Sequence, residues 1–359
     1  MTAEHRIVVL GAGYAGMSAA KRAAKARGAR VTVVNARPEF VQRVRLHQTA
    51  VGQRVAQWDL RETLEAKGIE FVQARVTDID PAERRVRLDD GRALAYDSLI
   101  YALGSAADRS QVPGAVEFAQ SVATLEDTRR IPELSGRVAV VGSGATGIET
   151  AAELAEARPD LTVLLVGSEE PGAWLSEKAR AHIRSTLARL GVQVLTGKVA
   201  QVHPDGLELV DGARIPAETV LWTTGFVVSE VAARSGLAVD ARGRVLVDGE
   251  LRSTSHPEVY AIGDAAVMHG VDGREMRMAC ATAIPAGQYA GRALATRLRG
   301  KQPAPYKGTY IAQCISLGRR DAVFQRVKAD DSMTGTVFTG RTGAWFKEMI
   351  VKSTEWASH

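Results

Sequence analysis

The chain has 359 residues, 45% of them apolar, and carries 46 Lys and Arg against 41 Asp and Glu, a net charge of +5. That length suggests two domains with a small appendage, and the apolar share is enough to build real cores. The basic balance, pI about 9.3, suits an anionic ligand or an acidic surface. No Lys/Arg block with interleaved aromatics is present, which argues against nucleic acid, and no apolar run has the length of a membrane span. Cys280 and Cys314 lie far apart and form no C-x-x-C, so a reducing cytoplasm is the default location. The seven histidines are scattered without ligand spacing and indicate no metal site.

In chain order, the apolar run at Ile7 stops at Gly11 without a cleavage-site pattern, so it reads as a strand and not a signal peptide. Gly11-Ala12-Gly13-Tyr14-Ala15-Gly16 follows, then an Ala-rich helical stretch to Gly28. In such a G-x-G-x-x-G, the first glycine permits the turn, the second lets a pyrophosphate approach, and the third lets helix and strand pack closely. The amides and dipole of the helix start then favour a diphosphate. Strand two, Arg30 to Val34, ends at Asn35, where a dinucleotide fold usually carries an acid for the ribose; asparagine can still bond a hydroxyl. Ala36 and Arg37 follow, and Arg37 is placed to lie along a phosphate or an adenine. Phe40 to Gln48 carries Arg43, Arg45 and His47 without a clean helical stripe; ligand contact and a solvated basic turn both fit.

Phe71 to Ile79 and Arg84 to Leu88 alternate as strands, Asp89-Asp90-Gly91 closes a hairpin, and Tyr96 to Leu103 is a buried strand leading to Gly104. Gln111 to Ser135 reads as a crossover linker. The plan then repeats. Val138 to Gly147 gives a second strand and a second glycine motif, Gly142-Ser143-Gly144-Ala145-Thr146-Gly147, and Leu161 to Val166 is its strand two. Val192 to Val202 and Val220 to Thr224 echo the earlier strands, ending at Gly225. The duplication therefore covers whole units. At the second ribose position stand Gly167-Ser168 with Glu169 and Glu170 just after, which favours NADH without excluding NADPH; Arg180 and Arg184 read as surface helix residues within reach of a phosphate. Val259 to Ala266 is a buried strand ending in Gly263-Asp264, and Cys280 to Leu298 is helical with Pro285 near its first turn. Short strands broken at Gly318, Gly335, Gly340 and Gly343 precede an amphipathic end, Ala344 to Trp356. That end suits core packing, a dimer contact or a peripheral membrane foot.

The order G-x-G-x-x-G, strand pair, Ala-Leu-Gly, a second G-x-G-x-x-G with Glu149, Thr-Thr-Gly, and Tyr-Ala-Ile-Gly-Asp resembles the pyridine nucleotide-disulfide oxidoreductase superfamily of two-dinucleotide-binding-domain flavoproteins. Residues 316–323 and Gly343-Ala344-Trp345 are similar to the type II NADH dehydrogenase branch. The resemblance implies an α/β fold of two Rossmann-like domains, the second inserted in the first, plus a small C-terminal α+β region. The FAD domain is expected at 1–110 and 241–305, the NAD(P)H domain at 111–240, and an interface or substrate region at 306–359. FAD is expected on Gly11, Gly13, Tyr14, Ala15 and Gly16, with Asn35, Ala36, Arg37, Arg43, Val76, Ala102, Gly104, Gly263, Asp264, Thr282 and Ala283 around it. NADH or NADPH is expected on Gly142, Gly144, Thr146, Gly147 and Gly225. Glu149 is expected near the nicotinamide, and Arg45 or His47 at an acceptor such as a quinone. There is no C-x-x-x-x-C near Arg43, so a thiol relay is excluded, and Ile284-Pro285 stands where the type II dehydrogenases carry a Gln. The implied activity is hydride transfer from NAD(P)H to flavin and on to a small acceptor. A ferredoxin-type reductase, a redox sensor and a flavoenzyme oxidising an organic substrate are the alternatives.

Overall fold

In the computed structural model, which describes residues 4–358, the apolar runs become two parallel five-stranded sheets. The first has the order 259–261, 98–101, 5–10, 29–35, 70–73, and the second 193–196, 162–167, 137–141, 219–222, 119–121. In each, the strand leading into a glycine motif is central. Strands buried on both faces must be apolar throughout, and Ile7–Leu10 and Val138–Val141 are all buried. The 259–261 strand, which follows the whole second sheet in sequence, returns to pair with 98–101 of the first, so one unit is inserted in the other.

Each unit also carries a three-stranded antiparallel meander, 76–80/85–88/93–95 and 199–203/206–209/214–216. This corrects the expected long strands. Phe71 to Ile79 is two strands, Glu70–Gln73 in the parallel sheet and Val76–Asp80 in the meander, with the chain turning at Ala74 and Arg75. Val192 to Val202 divides in the same way. Val72 to Thr77 alternates buried and exposed straight through the first break, so periodicity alone does not reveal the change of sheet there. The stretch expected as a crossover linker is structured too. It contains helices Ala115–Phe118 and Leu125–Arg130 and the strand Ala119–Ser121, which closes the edge of the second sheet. A short antiparallel ribbon, Ser105–Ala107 with Phe226–Val228, joins the two units.

The helices Tyr14–Ala23 and Cys280–Arg297 cross in unusually close contact. A Cβ at Gly287 would sit 2.2 Å from the Ala15 carbonyl oxygen, and one at Gly291 2.5 Å from that of Ala19. Glycine there lets the long helix bring its first turn to the first glycine loop. Pro285 lies inside that helix, just past its first turn. Strands 312–316, 322–327 and 333–338 form an antiparallel sheet, and helix Gly340–Ser358 lies across it. Gly335 falls within a strand and Gly343 within the helix, so neither is a break. A Cβ at Gly343 would meet the Ala322 carbonyl at 2.2 Å, which is why the helix can lie so close to the sheet. Ile315, Leu317, Val323 and Val337 join the core of the second unit with Ile148, Ala151 and Leu154. The C-terminal region is thereby anchored on the helix that follows the second glycine motif. No helix among the described residues is long and apolar enough to cross a membrane.

Candidate functional site

The two glycine loops are built alike. Gly11 and Gly142 have φ of +96° and +122°, and their amides donate to the carbonyls of Val34 and Val166 at 2.8 and 2.7 Å. A Cβ at Gly16 or Gly147 would lie 1.8 or 1.7 Å from the carbonyl oxygen of Gly11 or Gly142. By contrast, a Cβ at Gly13 or Gly144 would meet nothing of the protein within 4 Å. Both of these residues cap helices with no side-chain cap and no acid in the first turn. The chain thus leaves open space in front of two uncompensated helix starts, the cradle a diphosphate fits.

Around the first cradle, Ala102 presses its carbonyl on Gly11, and Gly104 turns with φ +69° beside Arg43. The Asp264 carboxylate accepts from the Ser105 hydroxyl at 2.7 Å and lies 3.7 Å from the Arg43 guanidinium. Gly263, φ +69°, sits between Ala15 and Ala283. Thr282 is buried and donates to the carbonyls of Arg277 and Ala279, fixing the start of the long helix. Tyr14 is buried edge-on against Phe40, and Val76 is buried at the start of the first meander. Ala36 is exposed at the mouth. Two expected contacts are committed elsewhere. Asn35 accepts from the Ala12 amide at 3.0 Å and donates to the Arg37 carbonyl at 2.9 Å, so it acts as a strut of the glycine loop. Arg37 makes a two-pronged pair with Glu126. Its partner lies 89 positions on in the chain, a pairing that no local pattern signals.

The second cradle has Thr146 in the first turn of its helix and Gly225, φ +77°, against the Asp108 carbonyl at the ribbon. One turn beyond, Glu149 meets His47. The His47 Nδ1 is 3.8 Å from Glu149, and its Nε2, buried and without a hydrogen-bond partner among the described residues, is 4.0 Å from Glu153. Glu149 also pairs with Lys347 of the C-terminal helix and accepts from the Ser316 amide at 2.9 Å. Burial pushes its carboxyl up, but Lys347, His47 and the Ser316 amide together hold it below the usual carboxylate range. Glu153 is fully buried, and burial outweighs Arg319 and Gln53 to leave its carboxyl raised. Neither Lys347 nor Arg319 was expected at the site from the sequence; only the packing of the C-terminal region brings them here.

Arg45 does not join this cluster. Its guanidinium is bonded to Glu348 at 2.7 Å and Glu355 at 3.2 Å, latching the C-terminal helix to the first unit. Beside that latch a cavity of about 390 Å³ opens, lined among others by Val44, Gln48, Ser316, Arg320, Trp345 and Lys347. Lys347 therefore borders the cavity and touches Glu149. Both cysteines are free, and burial pushes the Cys280 thiol up and the Cys314 thiol up to about 12, so neither is primed as a nucleophile.

Burial lowers the His47 imidazole to about 4, against a weaker upward pull from Glu149. The native ring stays neutral where the unfolded one takes a proton. Stability from this group is full above about pH 6.5 and falls by up to about 3 kcal/mol as pH drops towards 4. Urea midpoints at about pH 7 and about pH 5 check this. The wild type is expected to lose stability between them and His47→Gln to lose less; equal losses would remove His47 as the cause.

Two Rossmann-like cradles, in units of which one is inserted in the other, define a protein built to hold two dinucleotides. Residues 5–287 match the family described as pyridine nucleotide-disulphide oxidoreductase. The chain is 33% identical over 350 residues to the NADH dehydrogenase-like protein Rv1812c of Mycobacterium tuberculosis, covering 89% of this chain and 87% of that protein. It is 26% identical to the alternative NAD(P)H-ubiquinone oxidoreductase C1 of Arabidopsis thaliana, covering 88% and 72%. The structure of NDH2 from Plasmodium falciparum in complex with NADH superposes with a TM-score of 0.81 at 16% identity, covering 99% and 96%. The chain belongs to the pyridine nucleotide-disulfide oxidoreductase family, among its NADH dehydrogenase-like members. It is an oxidoreductase whose cofactors are FAD and NAD(P)H.

Proposed function

We propose that this protein passes electrons from NAD(P)H through FAD to a quinone-like acceptor that enters by the cavity beside Lys347. The observation that carries the proposal is that one lysine both borders that cavity and pairs with Glu149. FAD, when bound, supplies the two-electron relay between nicotinamide and acceptor. The residues of the chain bind, orient and supply protons. Gly13 and Gly144 admit the two diphosphates, and the Arg43–Ser105–Asp264 group holds the flavin side. The start of helix Cys280–Arg297, held by Thr282, turns its positive end towards that cradle. Lys347 holds a proton at Nζ next to the acceptor cavity, and Glu149 and His47 lie behind it as the route by which it is replaced. Arg45 acts at one remove, by keeping the C-terminal helix in place. On that helix Trp345, Met349 and Trp356 are exposed, 58%, 51% and 84%, an apolar edge suited to the membrane interface where lipid-soluble quinones reside.

Anaerobic stopped-flow mixing tests the reading. NADH or NADPH is expected to bleach the flavin band, and a short-chain quinone to restore it. Absence of bleaching by either coenzyme would sink the proposal. Fast, salt-sensitive reoxidation by a ferredoxin with none by quinones would replace it with a ferredoxin-type reductase.

A further inference from the structure

The cavity beside Lys347 carries charge that the chain does not neutralise. Most of the charged side chains lining it are engaged. Arg45 is bonded to Glu348 and Glu355, Arg319 to Glu153 at 2.9 Å, and Lys347 to Glu149. Asp321 lies 2.7 Å from His182 and 3.0 Å from Arg189. Two lining groups remain, Arg320 and Arg341. Both are exposed, and neither side chain has a hydrogen bond, ion pair or ring contact among the described residues.

Local structure places both at the cavity. Arg320 sits in the tight turn between strands 312–316 and 322–327, which Gly318 allows with φ +87°. Arg341 is in the first turn of helix Gly340–Ser358, on the stripe that also presents Ala344, Trp345 and Glu348 to the cavity. A cation in a first turn is disfavoured by the helix dipole, and that turn holds no acid to offset it. An anion in the cavity would relieve both guanidinium groups, which recognise carboxylates and sulfonates through paired, charge-assisted hydrogen bonds.

The cavity also bounds the shape of its ligand. Lys347 is six positions after Arg341, about 9 Å along the helix axis. The walls include apolar Val44, Ala322, Ala344 and Val351. Such a site takes a flat ring, with a carbonyl at the Lys347 Nζ and an acidic substituent at the arginines. A neutral ring leaves the arginines unused. The exposed Met349 and Trp356 do not line the cavity, so Arg320 and Arg341 serve its occupant and not the apolar edge of the helix.

We propose that Arg320 and Arg341 form an anion site at the rim of the acceptor cavity, and that the acceptor is a quinone bearing an acidic group on its ring. The proposal rests on the reading that this cavity admits the acceptor. Reduction of the ring to its quinol takes two electrons, from NAD(P)H by way of FAD, and two protons; the acidic substituent passes through unchanged.

The test uses the full FAD-loaded chain, titrated to full reduction with dithionite so that coenzyme binding plays no part. Stopped-flow reoxidation compares a naphthoquinone sulfonate with the neutral parent naphthoquinone. The readout is the ratio of the two rate constants, because the intrinsic reactivities of the quinones then cancel between variants. Arg320→Gln/Arg341→Gln is expected to lower the wild-type ratio about tenfold, the scale of two exposed ion pairs. Added salt is expected to erode the ratio of the wild type and to leave that of the variant in place. A ratio that the double substitution does not move would overturn the anion site. So would binding to phosphatidylglycerol vesicles that the variant loses while its quinone ratio stays unchanged, since the arginines would then serve a lipid headgroup. Failure of both quinones to reoxidise the flavin would overturn it together with the function proposed above.

Discussion

Gly16→Ala is expected to leave the protein unable to keep its first cradle folded, while Gly13→Ala is expected to fold normally and release FAD. The added methyl at Gly16 would lie 1.8 Å from the Gly11 carbonyl oxygen, a backbone atom at the crossing of central strand and helix. Relief requires moving the helix off the sheet, and overpacking of this kind costs about 3 kcal/mol or more, a large part of a typical domain's stability. At Gly13 the backbone is extended, φ −77°, which alanine adopts freely, and its methyl touches nothing in the protein. It does enter the space in front of the helix start. Thermal melting of the apoprotein is expected to be unchanged by Gly13→Ala, while flavin dissociation constants rise roughly tenfold or more. Should Gly13→Ala keep its yellow colour with unchanged affinity, the diphosphate does not lie where the open space suggests.

Glu149→Gln is expected to reduce turnover with quinone about a hundredfold, the scale of a lost acid–base group. The amide keeps the shape and still accepts from the Ser316 amide, but it leaves the Lys347 ammonium without its counter-charge in a nearly enclosed site. That costs stability as well, about 3 kcal/mol by comparison with broken buried pairs. The two effects separate in Glu149→Gln/Lys347→Met. Removing both charges is expected to recover the urea midpoint and leave turnover low, because the proton held at Nζ is gone. Recovery of turnover together with stability would show that the pair only supports the fold.

The glycine pattern was fully legible in the sequence. Gly11, Gly13 and Gly16, with their copies at Gly142, Gly144 and Gly147, have local work to do at fixed spacing, and the structure places each where the turn, the open space and the helix crossing require it. The duplicated sheets followed from the same runs of apolar residues. The meanders were partly hidden because a strand that changes sheets keeps its alternation through the break at Ala74 and Arg75. His47 stood out in its basic segment, and Glu149 only through the family resemblance.

What surrounds them could not be read in the sequence. Lys347 is 198 positions from Glu149, Arg319 is 166 from Glu153, and Arg45 is more than 300 from both its carboxylate partners. Sequence determines contacts whose partners lie within a turn or a strand repeat of one another, since backbone geometry alone brings them together. Asn35 shows a related limit: its type suggested a hydroxyl partner, but its side chain accepts from the Ala12 amide, 23 positions away, and donates to the Arg37 carbonyl. Which charge neutralises which, and so which side chains remain free for a ligand, is set by how the C-terminal sheet and helix settle on the core. That packing is a property of the assembled chain, because Coulomb attraction in a water-poor interior acts on distance in space and is indifferent to distance along the backbone.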